Sequence, residues 1–279
     1  GGTGEESRVE YEEEVRPGSV HFSEVPRLHV PSRIEGATLI AEGDVVCSSD
    51  VYHSHVLAAG DIIIKGWCSH AIVVALGSVE LPSAIYSHIL ASMEIRLGKE
   101  ARFSTLQARG IAAENAIVFG GQLVAADRIV VRQLRWAFGD HGAVLSIGTP
   151  YLQQLEQQYW RTQLQELRER LQELQRTLGQ LLQQRRSHGS EQVRQLQQEY
   201  WQLYEQLQQL EQRSYGLGTR KPVIEVRENV PSDTIVAIHG VVYRVPSELI
   251  AVRFSSDGMR IALESLPEVS GTPPDAEAT

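Results

Sequence analysis

The sequence predicts a mainly β protein: a parallel β-helix, or solenoid, with an antiparallel α-helical coiled-coil hairpin inserted in it. Three observations support this prediction. A six-residue motif returns about every seventeen residues, and aliphatic residues recur at fixed places around it. A later segment, rich in Leu and Gln, has a heptad pattern and contains no Pro. Self-similarity at a fixed period is typical of repeat architectures, and heptads are typical of packed helices.

The clearest copy of the motif is Leu-Ala-Ala-Gly-Asp-Ile at residues 57–62. With its fourth residue taken as the anchor, the copies are anchored at Gly43, Gly60, Gly77, Met93, Arg109 and Asp127. The steps between these anchors are 17, 17, 16, 16 and 18 residues. A unit of this length is shorter than a helical-pair repeat and fits one coil of two or three short strands.

The positions two and four places from each anchor are mostly aliphatic and predict the core. Every second residue of a strand lies on the same face, so these columns can all point inwards. The column two places before the anchor is Ala41, Ala58, Ala75, Ala91, Gln107 and Ala125, in which Gln107 is the misfit. The Gly-Asp and Gly-Ser pairs are predicted to form turns, with Gly supplying a positive φ.

The position three places before the anchor is also apolar, although inward columns flank it on both sides. If the alternation holds, this column faces outwards as an apolar stripe, which usually marks an interface. Two interpretations stay open: another part of the chain covers the stripe, such as the N-terminal segment, or a partner does. The candidate interaction residues on it are Leu57, Val74, Leu90, Leu106 and Val124, with Ile40 preceding them.

The composition of the 279 residues excludes several classes of protein. The net charge is −9 and no basic block is present, so we expect no nucleic-acid partner. The longest apolar runs are the length of strands, so we expect no membrane insertion. The chain begins without Met and has no signal-peptide core, which suggests an expressed fragment or a processed product. The presence of only two cysteines favours a cytoplasmic setting. Cys47 and Cys68 fall at different repeat phases, so we expect no disulfide.

Residues 151–214 carry the helical signal. Leu, Val or Tyr recurs in steps of three and four residues in both halves, which predicts a hairpin with arms of about 35 and 25 residues. The break at 185–190 predicts the turn between them. Tyr159, Trp160, Tyr200 and Trp201 are expected near the base of the hairpin. There they either close the hairpin against the solenoid or form a partner-facing patch, so Trp160 and Trp201 are candidate interaction residues.

Strand-like sequence returns after the helices, and turn residues separate its segments. The predicted organisation therefore has five parts. An N-terminal segment, partly disordered, enters the solenoid at residues 1–30, and the β-helix occupies 31–149. The coiled-coil hairpin occupies 150–215, and returning strands complete or cap the β-domain at 216–267. A disordered tail follows at 268–279.

In this order, the elements resemble the flagellar assembly protein A (FapA) family. The resemblance covers roughly residues 25–266 and rests on three features: the serial Ala-Gly-Asp-Ile coils, the Ile-Gly-Thr-Pro exit at 147–150, and the return through Val-Tyr strands. It implies a right-handed parallel β-helix with a coiled-coil excursion. It also implies a cytoplasmic bacterial assembly or scaffolding factor with no catalytic residues to carry over. Compared with that family, the chain is expected to lack the extended N-terminal region often found upstream.

A pair of histidines is the strongest candidate for a metal site. His53 and His70 share a repeat phase, so they are expected about one coil spacing apart, roughly 4.8 Å. Two imidazoles can bind Zn²⁺ or Ni²⁺, but a site normally needs a third ligand, for which Glu80 and Asp50 are the candidates. The alternatives are therefore a metal-binding adaptor and a solvated polar face near a turn.

The enzymatic alternative is a polysaccharide-acting enzyme of the pectate-lyase type, since many such enzymes are β-helices. Acids recur near the turns at Asp44, Asp61, Glu94 and Asp127, a pattern that also fits a turn preference. We predict that the chain is not an enzyme, uses no cofactor, and is a scaffold that binds protein partners. Open solenoid ends present unpaired strand edges, which predicts that one partner is the chain itself.

Overall fold

The computed structural model describes residues 11–136, 142–183, 191–215 and 221–267. The predicted turn at 185–190, the predicted tail at 268–279 and residues 1–10 of the predicted N-terminal segment lie outside them. The chain divides into two compact units, one of which is Tyr151–Lys221. The elements are β1 (Tyr11–Glu12), β2 (Val20–Ser23), β3 (Arg27–Val30), β4 (Ile34–Glu35), β5 (Thr38–Ala41), β6 (Asp44–Cys47), β7 (Val51–Tyr52), β8 (His55–Ala58), β9 (Ile62–Ile64), β10 (Trp67–Ser69), β11 (Ile72–Ala75), β12 (Val79–Ile85), β13 (His88–Ala91), β14 (Glu94–Arg102), β15 (Thr105–Phe119), β16 (Gln122–Arg135), β17 (Val144–Ile147), α1 (Tyr151–Gln183), α2 (Glu191–Tyr215), β18 (Val223–Val230), β19 (Ile235–Ile238), β20 (Val241–Arg244), β21 (Leu249–Ser256) and β22 (Ile261–Ser265).

The strands of the first unit stack into three parallel faces. Face A contains β2, β5, β8, β11, β13, the beginnings of β15 and β16, then β17 and β19. Face B contains β1, β3, β6, β9, the beginnings of β12 and β14, the middle of β15 and β16, and β18. Face C contains β4, β7, β10 and the ends of β12, β14, β15 and β16. This topology confirms the predicted parallel solenoid.

The predicted aliphatic columns fill the core of the solenoid. On face B, Val45, Ile62, Val79 and Ile95 pair in register, and each is 0% exposed. Full burial of one such side chain contributes about 1.5–3 kcal/mol relative to leaving it in water. Because each coil covers the one before it, the columns form one continuous core along the stack.

One corner is a residue shorter than the same corner of the next coil, and this corrects the predictions for the residues just before it. Leu106 pairs with Ile89 and Leu123 and is 0% exposed, whereas Gln107 pairs with Leu90 and Val124 and is half-buried. The predictions that Leu106 faces outwards and Gln107 inwards were therefore wrong. The reason is a register shift after Ala108, where this coil has one residue fewer at its corner than the next coil. An anchor at position 109 misaligns every residue before that corner.

The chain returns from the second unit as strands of the same solenoid. The strands β18 and β19 pair in parallel with β16 and β17, so the helices are an insertion between strands of one β unit, as predicted. The last three strands run antiparallel, with β20 on β19, β21 on β18 and β22 on β21. They end the parallel stack.

The second unit is a pair of helices. The helices α1 and α2 have 33 and 25 residues, close to the predicted arms. Arg168 pairs with Glu211 at 3.0 Å, and Arg170 pairs with Glu199 at 2.8 Å, so the helices run antiparallel. The seam between them follows the predicted leucine steps and is formed by Leu164, Leu171, Leu174, Leu203 and Leu207, each 7–9% exposed.

Candidate interaction surfaces

The outward side of face A, hereafter outer face A, is a continuous uncharged surface. Along each strand the residues alternate between the core and this surface, so each of the nine parallel strands presents two side chains. None of the eighteen is Asp, Glu, Lys or Arg. They are Val20, Phe22, Thr38, Ile40, His55, Leu57, Ile72, Val74, His88, Leu90, Thr105, Gln107, Gln122, Val124, Val144, Ser146, Ile235 and Ala237.

Four of the five predicted stripe residues lie on this surface. Leu57, Val74, Leu90 and Val124 are half-buried and point away from the core, and Gln107 takes the place predicted for Leu106. At the N-terminal end of the same surface, Phe22 is 71% and Val20 is 61% exposed. From Tyr11 onward, the N-terminal strands pair edge to edge with the next coil and so extend the sheets, rather than lying across outer face A.

The outward side of face B differs in charge. Glu80 and Arg96 follow one another on adjacent strands with 3.9 Å between their charged groups, and Glu225 pairs with Arg253 at 3.0 Å. Outer face B also has apolar residues, such as Ile63, which pairs in register with Glu80 on the adjacent strand. The uncharged character is therefore a property of outer face A and is not a general property of the solenoid surface. The uncharged surface ends at β20, where Arg244 pairs with Asp233.

A ladder of stacked rings runs along the corner between faces C and A. His53, His70, Tyr86 and Phe103 occupy the same place in successive coils, with ring centroids 4.8, 5.1 and 4.9 Å apart. All four have φ between 46° and 50°, in the left-handed region that disfavours side chains with a Cβ. In the coils on either side, Gly36 and Gly120 take this conformation. Stacking therefore offsets a backbone cost that glycine avoids.

The ladder confirms that His53 and His70 are neighbours but gives them no further ligand. Glu80 points outwards on face B, away from this corner. The Asp50 carboxylate accepts hydrogen bonds from the Trp67 backbone N–H at 2.7 Å and from the Tyr52 hydroxyl at 3.3 Å. Among the described residues, no three His, Cys, Asp or Glu side chains form a group that could hold a metal ion.

The acids near the turns hold the backbone of the next coil. The Asp44 carboxylate accepts the Asp61 backbone N–H at 2.8 Å, and the Asp61 carboxylate accepts the Ser78 N–H at 2.8 Å. This geometry supports the turn interpretation of these two acids, whereas Glu94 lies 3.8 Å from Arg96 and Asp127 lies 3.8 Å from Arg109. A Cβ on Gly60 would lie 2.1 Å from Asp44 Oδ1, and one on Gly77 would lie 2.0 Å from Asp61 Oδ1.

The glycines of the motif are thus required by close approach between coils. Neither Gly60 nor Gly77 has a positive φ, so the prediction that they supply one was wrong. The repeat keeps Gly because the acid of the preceding coil occupies the space a side chain would need. The carboxylate and the glycine therefore form one device, repeated from coil to coil, that closes the corner between faces A and B.

A buried ladder of serines satisfies backbone hydrogen bonds inside the corner between faces C and A, beneath the ring ladder. Ser54, Ser87 and Ser104 are each at most 3% exposed. Each hydroxyl donates to the carbonyl two residues before it and accepts a backbone N–H from the coil before, at distances between 2.7 and 3.2 Å. Since these polar groups are paired, their burial carries little penalty.

The two cysteines are structural. Cys47 and Cys68 are both free and buried, in agreement with the prediction of no disulfide. Burial raises the pKa of the Cys47 thiol to about 12, with the nearby Cys68 as a second cause, and burial raises the pKa of Cys68 to about 11. The reactive thiolate form is therefore disfavoured at neutral pH.

The hairpin aromatics are not all placed as predicted. By the helical rise, Trp160 lies about 14 Å from the start of α1, whereas Trp201 lies about 21 Å before the end of α2. The prediction that Tyr200 and Trp201 lie near the base was therefore wrong, because they sit in the middle of their helix. Tyr200 packs on the leucine seam, and Trp201 is 61% exposed beside Tyr204, with ring centroids 5.8 Å apart.

A family model described as the Flagellar Assembly Protein A beta solenoid domain matches residues 29–261, which include both the solenoid and the inserted helices. No curated protein and no solved structure matches the chain. Neither described helix is both long enough and apolar enough to cross a membrane.

Proposed function

Since the chain belongs to the flagellar assembly protein A family, we propose that it is a non-enzymatic, cytoplasmic bacterial scaffold in flagellar assembly. It acts by binding proteins, and the solenoid supplies the main binding surface. The single observation that carries the proposal is outer face A: eighteen outward positions on nine strands without one charged side chain, in a chain of net charge −9. Eleven of the eighteen side chains are apolar, and apolar patches larger than roughly a few hundred Å² on soluble proteins mark interaction sites.

The disposition of the polar groups supports a binding role over a catalytic one. The recurring acids Asp44 and Asp61 accept backbone N–H groups, and Asp50 does the same at the corner between faces B and C. A catalytic carboxylate must be free to reach a reacting atom. A shallow groove of about 430 Å³ beside Pro82 is lined by Glu80 and Arg96, which lie near enough to pair with each other.

The hairpin is the second contact element of this proposal. Trp201 and Tyr204 form an exposed aromatic pair in the middle of α2, away from the leucine seam. Trp and Tyr are enriched among residues that contribute most to binding energy. The surroundings of the pair along α2 are mainly Gln, so the aromatic contact, and not charge, gives this element its specificity.

The test is a set of affinity captures from the host cell, analysed for flagellar proteins. Four baits are compared: the unchanged chain, Leu90→Glu on outer face A, Ile63→Glu on outer face B, and Trp201→Ala on the hairpin. The two glutamate variants place the same charge on outward strand positions of similar burial. We expect Leu90→Glu to lose at least tenfold of the captured flagellar proteins, Trp201→Ala to lose a smaller share, and Ile63→Glu to match the unchanged chain.

A parallel measurement of swimming in soft agar connects the captures to assembly. A host strain without the gene is complemented by each variant at equal protein level. Loss of swimming with Leu90→Glu and recovery with Ile63→Glu supports the proposal. It is overturned if no flagellar protein is captured by any bait and if deletion of the gene leaves swimming unchanged.

A further inference from the structure

We propose that outer face A binds outer face A of a second copy of the chain, so that two solenoids pack face to face about a two-fold axis. This inference rests on the proposed function and names one partner for its main surface. Face-to-face packing of two sheets about 10 Å apart is a common arrangement in β proteins. A two-fold contact brings the same surface of both copies together, so the surface must be complementary to itself.

Charge is the first argument that the occupant is a second copy. Two copies of a chain with net charge −9 repel one another, and like charges brought together within a contact add to the repulsion. Outer face A has no carboxylate and no ammonium or guanidinium group, so it adds nothing to this repulsion. Outer face B, by contrast, would bring residues such as Glu80 and Arg96 against their own copies in some registers. A different protein would impose no such restriction, because its charges could be complementary.

The polar side chains on outer face A give the second argument. They are Ser, Thr, Gln and His residues, such as Thr38, Gln107 and Ser146. Each of these side chain types can both donate and accept a hydrogen bond. A copy of the same side chain is therefore a competent partner, which is not true of Lys, Arg or an ionised carboxylate. The surface is self-complementary in hydrogen bonding as well as in charge.

The size of the surface sets the expected affinity. Nine strands spaced by about 4.8 Å extend about 40 Å, and four residues of strand extend about 13 Å, which gives about 500 Å² on each copy. The total of about 1,000 Å² is at the lower limit for a specific interface. We therefore expect a dimer that dissociates on dilution into the micromolar range.

The symmetry supplies the decisive test. The strand β13 is the fifth of the nine parallel strands of face A, so a two-fold axis through the middle of the surface passes near its outward residue Leu90. The variants Leu90→Glu and Leu90→Arg should each bring like charges together at the axis and should both be monomers. When the two are mixed, opposite charges meet, and the dimer should return as the mixed species.

The experiment is sedimentation equilibrium over about a hundredfold range of concentration from micromolar upwards. The matched controls are Ile63→Glu and Ile63→Arg on outer face B, and the circular dichroism of every variant is compared with that of the unchanged chain. We expect dimers for the unchanged chain and both Ile63 variants. We also expect at least a tenfold weaker self-association for each Leu90 variant alone, and recovery on mixing.

Three results overturn the inference. These are an unchanged chain that is monomeric at every concentration, a dimer that both Leu90 variants keep, and a Leu90→Glu and Leu90→Arg mixture that stays monomeric. If the chain is monomeric but its capture of flagellar proteins still depends on Leu90, the inference fails and the proposed function stands. If self-association depends on Leu90 but no flagellar protein is captured and swimming is unchanged, the inference stands and the proposed function fails.

Discussion

The solenoid and the helical hairpin bury their aliphatic side chains to different depths. In the solenoid, Ile62 and Ile95 are 0% exposed, because a coil lies on each side and the opposite faces close the interior. In the hairpin, Leu171 and Leu203 remain 8% and 7% exposed, because two helices share a single seam. Stacked coils exclude water from the core whatever their number, whereas two helices leave the edges of their shared seam open to water.

The two regions also differ in how far their backbone contacts reach. Most strands of the solenoid pair with residues 16 to 18 positions away, so no coil has a stable conformation without its neighbours. Each helix closes its own hydrogen bonds within four residues. The ion pairs that join α1 to α2, such as Arg168 with Glu211, are solvent-exposed and contribute little. We therefore expect the hairpin and the solenoid to unfold independently of one another.

The largest expected change in stability comes from truncating one buried side chain in each of the two cores. Ile62→Ala should lower the free energy of unfolding of the solenoid by about 3–4 kcal/mol, because the cavity lies between two full coils. Leu171→Ala should lower that of the hairpin by about 2 kcal/mol, because water already reaches the seam. Urea unfolding followed in the sheet and helix bands of circular dichroism measures the two separately. A single shared transition that shifts by the same amount in both variants would contradict this independence.

The second prediction makes the same Gly→Ala substitution in both regions and expects opposite changes in stability. Gly60→Ala places a Cβ against Asp44 Oδ1 and should destabilise the solenoid by about 2–3 kcal/mol. Gly179→Ala lies in α1, where a Cβ meets nothing within 4 Å, and should stabilise the hairpin by about 1 kcal/mol. Adding Asp44→Ala to Gly60→Ala should recover part of the loss, since the clashing carboxylate is removed. Two fully additive losses in thermal unfolding would count against the close-approach explanation.

A smaller effect is expected in the ring ladder, a device that belongs to the solenoid alone. Tyr86→Ala removes the stacking on His70 and Phe103 but keeps the left-handed backbone, and should cost about 1–2 kcal/mol. Tyr86→Gly loses the same stacking but relieves the backbone, so it should cost about 1 kcal/mol less. The order of the two midpoints in thermal unfolding is the measurement. If Gly is no better than Ala, the stacking does not offset a backbone cost.

The smallest effect is the pH dependence of the buried thiols, which also lie only in the solenoid. Because burial raises the pKa of Cys47 to about 12, the folded state keeps its proton while the unfolded chain loses it above its ordinary value of 9.0. The unfolded state then binds fewer protons, so stability falls as the pH rises past 9, by about 1 kcal/mol per thiol near pH 9.5. Cys47→Ala should flatten this slope between pH 8 and 9.5 in urea titrations, and an unchanged slope would exclude the thiol as its source.

Most of the architecture could be predicted because it repeats. The seventeen-residue period, the inward columns and the heptads each follow from the spacing of apolar residues, and the structure keeps all three. The ring ladder was half visible as the shared phase of His53 and His70. The part played by Tyr86 and Phe103 was missed, although the same step of 16 or 17 residues could have found them.

The sequence by itself determined the fold class, the order of the elements and the outward stripe, because side-chain periodicity is a local property of the chain. Tertiary structure decided what depends on the contact between coils. It moved Leu106 into the core and Gln107 onto the surface, because a corner one residue shorter changes the register. It also decided that Gly60 is needed for space and not for its φ, since the Asp44 carboxylate of the preceding coil fills that space.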